Sequence, residues 1–120
     1  MRSVIPRWIP GLAAVLTLLA ISPAQGQAPQ SRKLSVVAND CRFTPARFEV
    51  DHYDAVTITF SAEDQPHSFV IDAYRIAKRA TSGGSVTFEF LADRKGTFPY
   101  YSNLFADRIC ENMRGEFIVH

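Results

Sequence analysis

The chain reads as an all-β sandwich of about seven strands, and three observations carry that reading. From Lys33 onward, apolar residues recur at every second position, the pattern of strands with one face buried and one wet. Turn-forming residues interrupt the alternation at short intervals. Only the segment from Phe105 to Asn112 has the makings of a helical turn.

Met1 to Gln27 stands apart from the rest of the chain. Arg2 and Arg7 supply positive charge ahead of an apolar core of eleven residues, Gly11 to Ile21. Small residues at Ser22 and Ala24, or at Gly26 and Ala28, suit cleavage after Ala24 or Ala28. The run is short for a membrane span, and Pro10 and Pro23 bracket it, which argues against an uncleaved anchor. Residues 1–28 are therefore expected to be a signal peptide, 29–32 a linker, and 33–120 a single domain, periplasmic or secreted.

The strands are placed in order along the chain. Leu34, Val36 and Ala38 form the first run, and Phe48 and Val50 flank Glu49 in the second. Val56, Ile58 and Phe60 alternate with Thr57 and Thr59, while Phe69 and Ile71 come after His67. Val86, Phe88 and Phe90 alternate with Thr87 and Glu89; Phe98 and Tyr100, then Phe117-Ile118-Val119, complete the set. Thr44-Pro45, His52-Tyr53-Asp54, Asp64-Gln65-Pro66, Ser82-Gly83-Gly84 and Asp93-Arg94-Lys95-Gly96 supply the turns.

Charge and cysteine content narrow the function. Without its leader the chain keeps eleven basic side chains against twelve acidic ones, a net charge of −1. Such a balance gives no electrostatic footprint for nucleic acid or for anionic lipid. Arg75, Lys78, Arg79 and Arg94 read as solvated loop charges. The two cysteines of an exported domain are by default a disulfide, whereas in a reducing compartment they would point to metal or catalysis. The sequence contains no Ser/His/Asp set, no distinctive carboxylate pair and no phosphate-cradling glycine loop, so no enzymatic activity is expected. His67-Ser68 is no nucleophile–base pair, because consecutive strand residues face opposite sides; Tyr100 and Tyr101 diverge for the same reason.

Two segments go further. Tyr100-Tyr101-Ser102-Asn103-Leu104-Phe105-Ala106-Asp107-Arg108-Ile109-Cys110-Glu111-Asn112-Met113-Arg114-Gly115 comes after Pro66-His67-Ser68-Phe69, with His67 lying 35 residues before Ser102. Together with Phe43-Thr44-Pro45-Ala46-Arg47-Phe48-Glu49-Val50, they resemble the cupredoxin superfamily. The likeness is to the copper domains of nitrous oxide reductase and cytochrome oxidase subunit II. The resemblance implies a Greek-key β-sandwich. In that family a strand-initial histidine is followed by Tyr-Tyr-Cys, with Cys, His and Met four, eight and eleven residues after the first cysteine. Those positions here are Ser102, Ala106, Cys110 and Met113, with His67 upstream. The chain departs from the family at both bridging thiolates, at one imidazole, and at the glycine that usually precedes Asp54.

The resemblance implies two alternatives at this end of the sandwich. In one, His67, Cys110 and Met113 form a soft donor set for a single copper ion, as Cu(I), since sulfur donors select the cuprous state. In the other, Cys41, just before the Phe43 strand, bonds to Cys110, and the domain is metal-free. His52 and His120 fall away from the ligand positions and read as solvated side chains. Three roles are then open: a copper-handling protein, a metal-free interaction module of a respiratory or metal-uptake system, and an electron carrier, for which the ligands are lacking. The expected partner is another exported redox or metal-handling protein.

Overall fold

A computed structural model describes residues 28–104, 110 and 112–120. The expected signal peptide, up to residue 27, lies outside the described residues, as do 105–109 and 111. Nine strands appear among the described residues. They are β1 (Ser31–Asn39), β2 (Arg42–Thr44), β3 (Arg47–Val50), β4 (Ala55–Ala62), β5 (His67–Ile71), β6 (Ile76–Ala80), β7 (Ser85–Leu91), β8 (Gly96–Tyr101) and β9 (Arg114–Val119). They build two sheets, ordered β2-β1-β4-β7 and β3-β9-β8-β5-β6. The β1–β4 and β3–β9 pairs are parallel, and the others antiparallel.

The expected count of seven becomes nine for identifiable reasons. β2 is a three-residue strand with one buried side chain, Phe43, too short for periodicity to register. β6 is an edge strand whose Lys78 and Arg79 interrupt the apolar signal; such charges are a common guard on open sheet edges. β1 starts at Ser31, two residues before the expected domain boundary at Lys33.

That early start has an electrostatic cause. The Asp54 side chain is fully buried and accepts hydrogen bonds from Gln30 N–H at 2.8 Å, Asp51 N–H at 2.9 Å and Arg32 Nε at 2.9 Å. Arg32 also reaches Asp51. Burial alone would raise the Asp54 carboxyl, but these donors outweigh it and hold the pKa below the usual carboxylate range. The turn before Asp54 lacks the family's glycine, and Tyr53 takes the left-handed backbone in its place, with φ at 72°. Its exposed ring stacks on His52, with centroids 3.8 Å apart.

Between the sheets lies an aromatic core. The alternating residues Val56, Ile58, Phe60 and Ala62 of β4 are all buried and face Phe43, Phe69, Phe88 and Tyr100. Tyr100 is central. Its ring packs on Phe69 at 4.9 Å and Phe43 at 5.2 Å, and its hydroxyl donates to Pro45 O at 2.7 Å. Pro45 is where the chain crosses from one sheet to the other, between β2 and β3. Tyr101, facing away, donates to the Asp72 carboxylate and lies under the Arg114 guanidinium.

Both the packing and the buried charge can be tested. Gly115 pairs with Tyr100 across β8 and β9, and a Cβ there would sit 2.2 Å from Tyr100 Cζ. The ring is held by its neighbours and its hydrogen bond, so Gly115→Ala is expected to destabilise the fold by about 1–3 kcal/mol, as overpacking does. A urea titration checks it; an unchanged midpoint would mean the ring has room to move. The second test concerns acid. A carboxyl with a lowered folded pKa contributes stability that is fully present above its unfolded value, near pH 4, and is lost as pH falls through the folded value. Asp54→Asn should be less stable at neutral pH and show a shallower acid limb in stability measured against pH. Parallel acid limbs for the two proteins would refute this role.

Candidate metal centre

The topology sends every candidate donor to one end of the sandwich. β1 runs parallel to β4, and the β4–β5 connection begins where both finish. The tip of the β1–β2 hairpin therefore lies near the start of β5, where His67 sits. β9 starts at the same end, because β8 runs antiparallel to both β5 and β9. Met113 immediately precedes β9.

His67, the first residue of β5, is fully buried, and its Nε2 lies 2.9 Å from Asp64 Oδ1. The second carboxylate oxygen of Asp64 accepts the Asp40 N–H at 3.1 Å. Burial would raise the Asp64 carboxyl, yet the bonds from His67 and Asp40 prevail and lower it. Asp64 thus ties the imidazole to the hairpin tip. The sequence reading missed this residue, although a carboxylate three positions before a buried histidine was the available signal.

That tip carries Cys41. Asp40 and Cys41 have φ of 53° and 59°, and Asn39 pairs with Arg42 on either side of them. This is the two-residue, both-positive pattern of a type I′ turn, for which glycine is preferred at the second position. A left-handed cysteine costs on the order of 1–2 kcal/mol against glycine. Turn chemistry therefore does not ask for Cys41; its sulfur does the explaining, since it is bonded to Cys110 with Cα atoms 5.1 Å apart. Of the two alternatives raised by the sequence, the structure holds the disulfide. The expected set of His67, Cys110 and Met113 is left in this state with His67 and Met113 as donors, because a disulfide sulfur is not a thiolate.

Cys110 and Met113 are adjacent in space, with Met113 N–H donating to Cys110 O at 3.0 Å, and both side chains are buried in the core cluster. Ser102, at the family's first thiolate position, is engaged with β5. Its Oγ accepts the Ser68 N–H at 2.9 Å and lies 3.1 Å from Ser68 Oγ. Ser68 Oγ also donates to Asn103 Oδ1 at 2.8 Å and accepts the Asn103 N–H at 2.7 Å. The serines hold the start of the ligand loop against β5 with hydrogen bonds, where a thiolate would have held a metal. Ala106 lies outside the described residues.

These residues do not fit a dinuclear or a blue copper centre. The first needs two bridging thiolates, and Ser102 supplies a hydroxyl bound to Ser68. The second needs two imidazoles and a thiolate. His52 is at the far end of the sandwich beside Asp93 O, and His120 pairs with Glu49. Among the described residues, no three His, Cys, Asp or Glu side chains form a group suited to a metal. A cuprous ion fits the donor chemistry only when Cys110 is a thiolate.

Known proteins share this fold. Residues 11–119 match the cupredoxin-like domain family, and the chain belongs to it. No curated protein matches the sequence. Among solved structures, it resembles a chain of a heme-copper terminal oxidase dimer, with a TM-score of 0.66 and 16% identity over 74% of this chain and 65% of that one. It also resembles dithionite-reduced auracyanin from Roseiflexus castenholzii, at TM-score 0.61 and 19% identity, covering 73% and 96% of the two chains. A third is the metal-binding domain of the Streptococcus pneumoniae Cu(I)-exporting P-type ATPase with Cu(I), at TM-score 0.62 and 12% identity, covering 81% and 99%. At these identities the likeness is one of fold.

The disulfide yields a prediction of its own. Alkylation of unreduced, denatured protein followed by mass spectrometry should label neither cysteine. The bond closes a loop spanning 69 residues, so reduction should lower stability by an amount on the order of 4 kcal/mol at most, on chain-entropy grounds. Two labelled thiols in the untreated protein would overturn the pairing.

Proposed function

We propose that this chain is an exported, non-catalytic cupredoxin-fold protein that handles copper as a single Cu(I) ion. His67, Cys110 and Met113 are the donors, and the ion is admitted only when the Cys41–Cys110 bond is open. The observation that carries this reading is the position of that bond, at the end of the sandwich where His67 and Met113 also lie. Closed, it withholds the thiolate; open, it leaves an imidazole, a thiolate and a thioether, a soft and low-coordinate set. The His67–Asp64 pair fits a ligand role, because metal-bound imidazoles commonly pass their other ring nitrogen to a carboxylate. An oxidised and an occupied state of one carrier would suit transfer to or from another exported redox or metal-handling protein.

A second reading, a metal-free interaction module of a respiratory or metal-uptake system, draws on the Ser68–Ser102–Asn103 hydrogen bonds. They give the loop a structural hold that needs no ion. Localisation to the periplasm or outside the cell is part of both readings, supported by the leader and by the disulfide. Electron transfer has the least support, since neither copper centre of that kind finds its ligands here.

The readings separate in one titration series. Oxidised protein given Cu(II) should develop no intense visible thiolate-to-copper band. Reduced protein, in competition with a chromophoric Cu(I) chelator, should take up one ion, and His67→Ala, Cys110→Ser and Met113→Leu should each weaken it. Equal binding by all four proteins, or none by any, would leave the interaction module as the better account.

A further inference from the structure

The geometry points to Cys41 as a second thiolate ligand: in the dithiol form, Cu(I) is held by Cys41 and Cys110 together with His67 and Met113. This rests on the Cu(I) reading above and extends it, because the family's ligand pattern contains no residue at this position.

Three observations converge on Cys41. Its sulfur is bonded to that of Cys110, with the Cα atoms 5.1 Å apart, so the two thiolates released by reduction start within reach of one ion. It occupies the second central position of a left-handed hairpin turn, where glycine would suit the backbone better, so what the position gains from cysteine is its sulfur. Its neighbour Asp40 donates to Asp64, and Asp64 holds His67 Nε2, so one carboxylate fixes both the hairpin tip and the imidazole. Met113 N–H donates to Cys110 O at 3.0 Å, which keeps the thioether residue beside the second cysteine. Two thiolates with an imidazole and a thioether favour Cu(I) more strongly than the three-donor set alone.

The reaction that opens the site balances with one co-reactant, a dithiol such as an exported thiol oxidoreductase supplies. Cys41 is exposed and Cys110 buried, so a reductant thiolate attacks the Cys41 sulfur. The Cys41–Cys110 bond breaks, and its electron pair leaves on Cys110 as a thiolate. The reductant's second thiol then displaces Cys41 from the mixed disulfide. The dithiol is oxidised by two electrons and the protein disulfide is reduced to two thiols. Binding of Cu(I) releases both thiol protons to solvent, and the oxidation state of the metal does not change.

The test uses the full chain under anaerobic conditions, untreated or reduced with a phosphine. Cu(I) affinity is read by chelator competition, and the ion's neighbours are counted by X-ray absorption. Reduced wild type is expected to bind one Cu(I) with three sulfur neighbours. Reduced Cys41→Ser should lose one of those sulfurs and at least about tenfold in affinity, a lower bound set by what even outer partners of a metal contribute. Reduced wild type also lacks the disulfide, so its circular dichroism is the folding control for the variant, and its sulfur count stands without any variant. If Cys41→Ser matches reduced wild type in affinity and sulfur count, Cys41 is not a ligand, while His67, Cys110 and Met113 stand. Equally tight binding by the disulfide form would overturn the thiolate requirement. If reduced wild type binds nothing, the Cu(I) reading itself falls.

Discussion

Joining Cys41 to Cys110 decides which atoms the rim of this sandwich offers to solvent, and most of the local structure is arranged around that bond. The hairpin tip takes a left-handed turn that places Cys41 against the ligand loop. Asp64 then braces the same tip through Asp40 and the same rim through His67. On the opposite side, Ser68 gathers Ser102 and Asn103. Here covalent and hydrogen bonds position the start of the loop whether or not an ion is present.

The centre of the fold is held by contacts of its own. Tyr100 fixes the centre: its ring fills the space between the sheets, and its hydroxyl holds the chain at Pro45, where it changes sheet. Gly115 leaves the room that the ring occupies. At the far end, Asp54 performs a comparable task with charge, gathering three donors from β1 and the turn before β4. A family can change its ligands while keeping its strands.

Much of the fold was legible in the sequence because burial imposes a period of two. Val56, Ile58 and Phe60 show it plainly, as do Val86, Phe88 and Phe90. β2 and β6 escaped for opposite reasons: one is too short to show a period, and the other carries edge charges that obscure it. At the rim, the Cys41–Cys110 pair was legible through compartment chemistry, while family spacing supplied His67, Cys110 and Met113 as expected donors. Asp64, three residues before His67, carried a local signal that went unread; Ser68 and Asn103 carried none. Their roles arise from contacts between β5 and segments up to 35 residues away, and no local pattern of residue types marks such a pairing. Tyr53 was half legible: the missing glycine was plain, but not which residue would take its backbone conformation.

The substitutions at the family's ligand positions are chemically coherent as a set. Replacing a bridging thiolate by Ser102 removes a copper ligand and adds a hydrogen-bonding group, which the neighbouring Ser68 uses in both directions. Replacing an imidazole by Cys110 exchanges a donor that cannot be oxidised under ordinary conditions for one that can. A dinuclear centre stores an electron on its metal ions. On the proposed reading, a site built from Cys41 and Cys110 would store two on sulfur and would couple metal affinity to the thiol–disulfide state of its compartment. On that reading, electrons delivered by a dithiol would decide whether copper is held at all.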